Sequence, residues 1–303
     1  MRLIPTLMFS KNWNLIGDSV RGNKHIYNGL PNQDAYQWKK TNDNLVLAIS
    51  DGHGSLKHFR SDIGAKLAVE AATEVSLEEA DIDNFDPATL PGVRERVEEK
   101  LAVRIVNSWR EKVETYQQNN PFAEDEIAQK KLAKIEAKKG KRLREFLENN
   151  EKGYLKAYGA TLLLVLVTKY FMLSLQLGDG DIVTMDFNGK INRVFENDHL
   201  GNATNSLCMT NPAAYFKISL QNFKKQSPPA LIFVATDGYA NSFYDDAEFL
   251  KVGPDFKELL AKQGPNYIKN NLQDWLKETT KEGSGDDITL VFIYQERLIK
   301  ANN

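Results

Sequence analysis

Residues 45–54 read LVLAISDGHG: an apolar run from Leu45 to Ile49, closed by Ser50, passes without a break into Asp51-Gly52-His53-Gly54. A short uninterrupted apolar run that stops at a turn is the pattern of a buried strand. The same arrangement recurs twice. LIFVAT (231–236) leads into Asp237-Gly238, and Gly285-Asp286-Asp287 leads into ITLVFIY from Ile288. A carboxylate at the end of a buried strand is held rigidly at the rim of a core. Several such rims brought together make a like-charged cluster, which protons or cations must neutralise. Glycine after the aspartate lets the backbone come close, so that a carbonyl can serve as a further oxygen ligand. Oxygen donors without converging Cys or several His favour Mg²⁺ or Mn²⁺ over zinc. Carboxylates that bridge two such ions can clamp a phosphoryl group for in-line displacement. His53, one residue past Asp51-Gly52, is placed to give a proton to a leaving alkoxide. A single Asp-Gly after a strand is ordinarily a tight turn; the set of three is what points to metal chemistry.

Outward from this stretch the chain changes texture. Trp13 to Ser50 is short and strand-like, with turn residues at Gly22-Asn23 and Asn28-Gly29. His58 to Asn150 is helical: Ile63, Leu67, Ala71 and Val75 repeat every four residues, as do Val97, Leu101, Ile105, Trp109 and Val113. A third helical stretch is expected over Asp125–Glu148. After Tyr158 strands return as ATLLLVLV, YFMLSLQL, DIVTMDF and INRVF, which read as an antiparallel meander. Helices over Phe256–Leu260 and Ile268–Leu276 separate LIFVAT from the last strand. Blocks of strands and helices, without regular βαβ alternation, predict an α+β fold.

The 303 residues are 42% hydrophobic and 26% charged, enough for a sizeable core, and no repeat or low-complexity linker divides them. One domain over 1–303 is expected. A net charge of −2 gives no global pull toward nucleic acid or anionic lipid, so neither is expected as a partner. The single Cys208 excludes an internal disulfide and fits a reducing compartment, and no apolar run approaches the roughly 20 residues that cross a bilayer. The N-terminal MRLIPTLMFSKNW lacks a clear small-residue cleavage site, so a cytoplasmic location is expected.

Six segments, in order, resemble the metal-dependent serine/threonine phosphatases of type 2C: Asn32-Gln33-Asp34, LAISDGHGS, YGATLLLVLV, LQLGDGDIV, IFVATDGYANSF and GSGDDITLVFI. The resemblance implies a four-layer αββα sandwich, two antiparallel sheets flanked by helices, here with an elaborated helical insertion over about 76–152. It implies hydrolysis of phosphoserine or phosphothreonine on proteins by a metal-activated water at a binuclear Mn²⁺ or Mg²⁺ centre. Carried over by position, Asp51 would bridge two metals with the Gly52 carbonyl on one, Asp237 and Asp286 would complete the first metal's shell, and Asp34 would hold water. Asp179 would help to hold a third, weaker metal, and His53 would be the general acid. The partners implied are a phosphoprotein and a cognate Ser/Thr kinase.

Several positions depart from the family pattern. Gln33 stands where a glutamate often helps to hold the second metal, and Gly29 stands where an arginine typically contacts phosphate. Arg21, Lys24 or His25 could take over the phosphate contact. Asp287 replaces an asparagine, and Gly180-Asp181 replaces Ser-Arg. These losses leave a second hypothesis open, a catalytically weak phosphatase-like module that binds a kinase or phosphopeptide. An aspartyl phosphoenzyme is disfavoured, because Asp51-Gly-His carries no second aspartate two residues on and no following threonine. Lys130–Arg144 reads as a solvated helix face, and the loop His199–Phe216 is either an ordinary connection or, where the family has one beside the metals, a flap. The four tryptophans are expected in packing roles.

Overall fold

Strands that are apolar on both faces need cover on both sides, and the chain answers with two sheets and two helical layers. The computed structural model describes residues 13–41, 44–82, 100–123, 153–196 and 204–300. The first sheet runs in the order β1 (Trp13–Val20), β10 (Ile288–Gln295), β9 (Leu231–Ala235), β6 (Asp181–Met185) and β7 (Ile191–Arg193). The second runs β2 (Ala35–Lys40), β3 (Leu45–Ser50), β4 (Leu162–Val167), β5 (Phe171–Leu177) and β8 (Lys217–Asn222). Every pairing is antiparallel.

The period-2 alternation of a strand sorts the apolar residues into three cores. Leu45, Leu47 and Ile49 of β3 and Leu163 and Val165 of β4 face Ile232, Val234, Val291 and Ile293 between the sheets. Val46, Ala48, Leu164, Leu166, Leu173 and Leu175 face outward, into a core shared with α2 (Ser61–Ile82) and α3 (Ala102–Asn119). On the opposite side Phe233, Leu290 and Phe292 pack on Phe256, Leu260, Leu272 and Leu276, all on a long helix over Val252–Glu282 that breaks at Gly264-Pro265. The layers are helix, sheet, sheet, helix, the expected αββα sandwich.

Two expectations change in detail. The strands after Tyr158 do not form one meander: β4 and β5 are a hairpin, but β6 leaves for the other sheet, where it pairs with β7 and β9. The crossing is made at Gly178, whose φ of 109° a side chain would strain, and a Cβ there would stand 2.6 Å from Thr161 Cγ2. In α2 the four-residue repeat enters the core in its second half, at Ala71 and Val75, and marks its edge in the first. Ile63 and Leu67 are only partly buried, while Ala65, Ala68 and Ala72 are fully buried. Small residues let this helix settle close to the sheet. The helical insertion is described only in part, as the end of α2 and as α3; Asp125–Glu148, with Lys130–Arg144 inside it, lies outside the described residues.

The closest approach of α2 is at Gly64, where a Cβ would collide with the Tyr158 carbonyl. The Gly64 carbonyl also accepts a hydrogen bond from Trp109 Nε1 at 3.0 Å. Gly64→Ala is therefore expected to lose about 1–3 kcal/mol through overpacking, read as a lower urea midpoint; an unchanged midpoint would mean that the helix seat is not constrained there.

Candidate metal centre

Antiparallel register decides which loops meet. Ala235 of β9 lies opposite both Leu290 of β10 and Asp181 of β6, so Asp237, Asp286 and Asp179 emerge at one end of the first sheet. In the second sheet Ser50 lies opposite Ala35, and Leu162 opposite Leu177. The end of β3, the start of β2 and the end of β5 therefore meet at that same end, bringing Asp51, Asp34 and Asp179 together. Thr161 fixes the Asp51 corner: its Oγ1 accepts the Asp51 N–H at 2.9 Å and its own N–H donates to the Asp51 carbonyl at 2.8 Å.

Asp51, Asp179 and Asp237 each place a carboxylate oxygen within 4.8 Å of the other two. They line an open cleft of about 500 Å³ with His25, Gln33, Gly52, His53, Asp286, Lys57, His58 and Thr204, among others. Burial, then the charges of Asp34 and Asp237, push the Asp51 carboxyl well above its ordinary range. Burial and Asp179 push Asp237 up to about 6. Asp34 sits deeper. Its Oδ2 accepts from Thr236 Oγ1 at 2.7 Å and Thr289 Oγ1 at 2.8 Å, its Oδ1 is sealed from solvent without a donor, and burial followed by the Asp287 charge raises it to about 8.

The shared deficit is of positive charge. Several carboxylates and the donor-less oxygens of Gln33 and Asp34 converge, and among the described residues lining the cleft Lys57 is the only Lys or Arg. An oxygen-rich, acceptor-only set of this kind fits hard divalent cations.

The other predicted residues divide. His53 lines the cleft, with its ring centroid 4.9 Å from that of His58. Burial lowers both imidazoles, and His58, with His53 beside it, falls to about 4. His25 is buried and bonded through Nδ1 to Asp287 Oδ2 at 2.8 Å, which raises its affinity for a proton. Arg21 stays outside: β1 ends at Val20, and the exposed Arg21 guanidinium donates to the Leu30 carbonyl at 3.3 Å. Gly29 ends a short helical turn, α1 (Asn23–Tyr27), at a φ of 66°. A side chain is strained there, so no arginine fits comfortably at that position.

Some residues escape a sequence reading. Asp287 is 3% exposed and turned away from the cleft, accepting from Gly22 N–H, Gln33 N–H and His25. The adjacent pair Asp286-Asp287 gives no hint of which one faces out. Asp181 is buried against Arg193 Nε at 2.8 Å, so of the two aspartates in Gly-Asp-Gly-Asp only Asp179 serves the cleft. Thr204, from the flap position, donates to Asp179 Oδ2 at 2.6 Å. That loop is described from Thr204 onward, and its Cys208 is buried with Sγ 3.3 Å from Ser206 Oγ.

A family model described as protein phosphatase 2C matches residues 21–277. The chain belongs to the protein phosphatase 2C family. No curated protein matches it. Among solved structures, this family member is similar to the serine/threonine phosphatase Stp1 from Staphylococcus aureus, at 13% identity and a TM-score of 0.55 over 93% of this chain and 94% of that one. It is similar to the Mycobacterium tuberculosis serine/threonine phosphatase PstP/Ppp at 12% identity and a TM-score of 0.53, over 94% and 99% of the two chains. A sex-determining protein of C. elegans gives a TM-score of 0.57 at 14% identity, over 96% of this chain and 68% of that one. At these identities the likeness establishes the fold. Among the described residues no helix is long and apolar enough to cross a membrane.

The raised carboxyls set a pH dependence. Without cations the folded protein keeps protons on Asp34 to about pH 8 and on Asp237 to about pH 6, whereas an unfolded chain releases them near 3.8. The folded state then binds more protons across this window, so stability falls as pH rises through it. In EDTA the melting temperature is expected to drop from pH 6 to pH 8, and excess Mn²⁺ to stabilise more at pH 8 than at pH 6. A metal-free melting temperature that climbs over this range would contradict the assignment.

Proposed function

We propose that this phosphatase hydrolyses phosphoserine and phosphothreonine on proteins, with two Mn²⁺ or Mg²⁺ ions and a weaker third. The observation that carries the proposal is the convergence of Asp51, Asp179 and Asp237 within 4.8 Å from the ends of strands in both sheets. Asp51, the Gly52 carbonyl, Asp237 and Asp286 would hold the principal pair, with Gln33 on one ion and Asp179 on the third. When bound, such ions polarise the phosphoryl group and generate the nucleophile from water near neutral pH. Reducing, cytoplasmic surroundings and a kinase that makes the substrate belong to the same reading.

The remaining steps fall to side chains. His53 lines the cleft and is kept neutral by burial. The negative charge of an arriving phosphate raises its proton affinity, so it takes up a proton from solvent and hands it to the departing serine or threonine oxygen. Asp34, held through Oδ2 by Thr236 and Thr289, has an Oδ1 without a protein donor that would accept from a water enclosed behind the cleft. Phosphate attraction falls to Lys57, on the 3₁₀ turn Leu56–His58 at the rim, since Arg21 lies outside the cleft.

Release of phosphate from p-nitrophenyl phosphate and a phosphothreonine peptide, with Mn²⁺, Mg²⁺ or EDTA, tests the proposal. Turnover is expected to require metal, and Asp51→Asn and Asp237→Asn are each expected to reduce it at least 10²-fold with the circular dichroism unchanged. Metal binding without turnover would instead leave a phosphopeptide-binding module. In the active enzyme Lys57→Ala is expected to raise KM for the peptide by about tenfold, the worth of one partly exposed charge contact of about 1.4 kcal/mol, and to leave kcat within about twofold. An unchanged KM would remove Lys57 from phosphate binding.

A further inference from the structure

Asp287 is a buried carboxylate bonded through both oxygens. Its Oδ1 accepts the Gly22 N–H at 2.6 Å, and its Oδ2 accepts the Gln33 N–H at 2.6 Å and bonds His25 Nδ1 at 2.8 Å. An ionised carboxylate only accepts, so Nδ1 of His25 is the donor and the ring is fixed in one orientation. That leaves Nε2 of a buried imidazole facing the cleft. The nearest acid is Asp286, whose Oδ1 is 3.9 Å away. This is too long for a hydrogen bond, but it matches the roughly 3–4 Å that separates two ligands lying about 2.1 Å from one cation.

Gln33 supplies an independent sign. The residue is 4% exposed, it lines the cleft, and its Oε1 is sealed from solvent with no donor. An acceptor left so costs about 1–3 kcal/mol, and a phosphate oxygen, itself an acceptor, cannot satisfy it. A cation can. Gln33 Oε1 and His25 Nε2 also flank the same space: a Cβ on Gly54 would lie 3.6 Å from the first and 3.8 Å from the second, with nothing else within 4 Å.

We infer that His25, oriented by Asp287, supplies a nitrogen ligand to a divalent-cation subsite that it shares with the Gln33 carboxamide oxygen and the Asp286 carboxylate. The inference rests on the metal-dependent reading above and refines it, turning His25 from a phosphate contact into a metal ligand. The imidazole nitrogen shifts the preference of this subsite from Mg²⁺ toward transition ions such as Mn²⁺, Co²⁺ or Zn²⁺. The Asp287–His25 bond is then the carboxylate–histidine pair that fixes tautomer and ring angle behind a metal ligand.

Pulsed EPR of the Mn²⁺-loaded full chain reads directly bound nitrogen, and calorimetry counts and ranks the ions. Directly coordinated ¹⁴N is expected in the wild type, retained in His53→Ala and His58→Ala, and lost in His25→Ala together with a tenfold or greater loss of Mn²⁺ affinity at one class of site. If His25→Ala folds poorly, the wild type and the other two variants decide. A nitrogen coupling absent from the Mn²⁺-bound wild type, or lost with His53 or His58, overturns the inference while leaving the phosphatase reading intact. Unchanged oxygen-only coordination with weakened inhibition by inorganic phosphate in His25→Ala makes His25 a phosphate anchor and also overturns it. No Mn²⁺ bound by the folded wild type would sink the metal reading itself.

Discussion

Like charge gathered at the rim of an apolar core is the constraint around which this protein is arranged. Asp51, Asp179 and Asp237 arrive at one end of the sandwich on strands that cannot move apart, because those strands are buried on both faces. Three carboxylates this close cannot all ionise in a partly dry site without compensation. The described residues offer little: Thr204 and Asn241 donate to Asp179 and Asp237, and Lys57 stands at the rim. The fold therefore spends stability to hold a charge deficit in place, and that deficit is what makes cation binding favourable there.

What holds the cluster together is mostly uncharged or fully committed. Thr236 and Thr289 clasp Asp34, Thr161 fixes the Asp51 corner, and Asp287 ties the chain leaving β1 to the chain entering β2. Asp287 thus joins the two sheets at the end where the site lies. Glycine makes the same end compact: a side chain at Gly22 would strike the backbone of Asp286, and one at Gly238 the carbonyl of Asp287. Loops packed this closely leave the carboxylates few ways to relax apart, which is the preorganisation that charge stabilisation in catalysis requires.

The distribution of roles between neighbouring aspartates follows from burial. Asp286 keeps 54% of its side chain exposed and lines the cleft, while Asp287, one residue on, is buried as a structural acceptor. Asp179 and Asp181 divide in the same way, the second paired with Arg193 at the base of β6. In both pairs the turn before the strand leaves one carboxylate in the cleft, and specific partners, Arg193 for Asp181 and Gly22, Gln33 and His25 for Asp287, hold the other inside. The departures from the family pattern at Gln33 and Gly29 are met by the local structure: His25 stands beside Gln33, and Gly29 adopts a backbone conformation suited to glycine.

Much of this was legible in the sequence. Uninterrupted apolar runs such as LVLAIS and LIFVAT require cover on both faces, and an aspartate directly after each has to stand at a core edge. From those local facts an α+β fold and the acidic rim follow, and six ordered motifs point to the family and, through the resemblance, to the two-sheet, two-helix-layer sandwich. Periodicity alone misread two features. The residues after Leu177 continue the strand pattern, yet the chain changes sheets at Gly178, and in α2 the core face is made by Ala65, Ala68, Ala72 and the second half of the repeat, Ala71 and Val75, with Ile63 and Leu67 at its edge. Neither which of two adjacent aspartates would face the cleft, nor that Arg21 would stay outside it while Lys57 and His58 entered, was readable, because each depends on partners far away in the chain. Gln33 and His25 meet Asp287 only because Val20 pairs with Ile288, more than 250 residues later in the chain. Strand register is set by packing over whole sheets, so a local pattern can name the candidates but only the assembled sandwich selects among them.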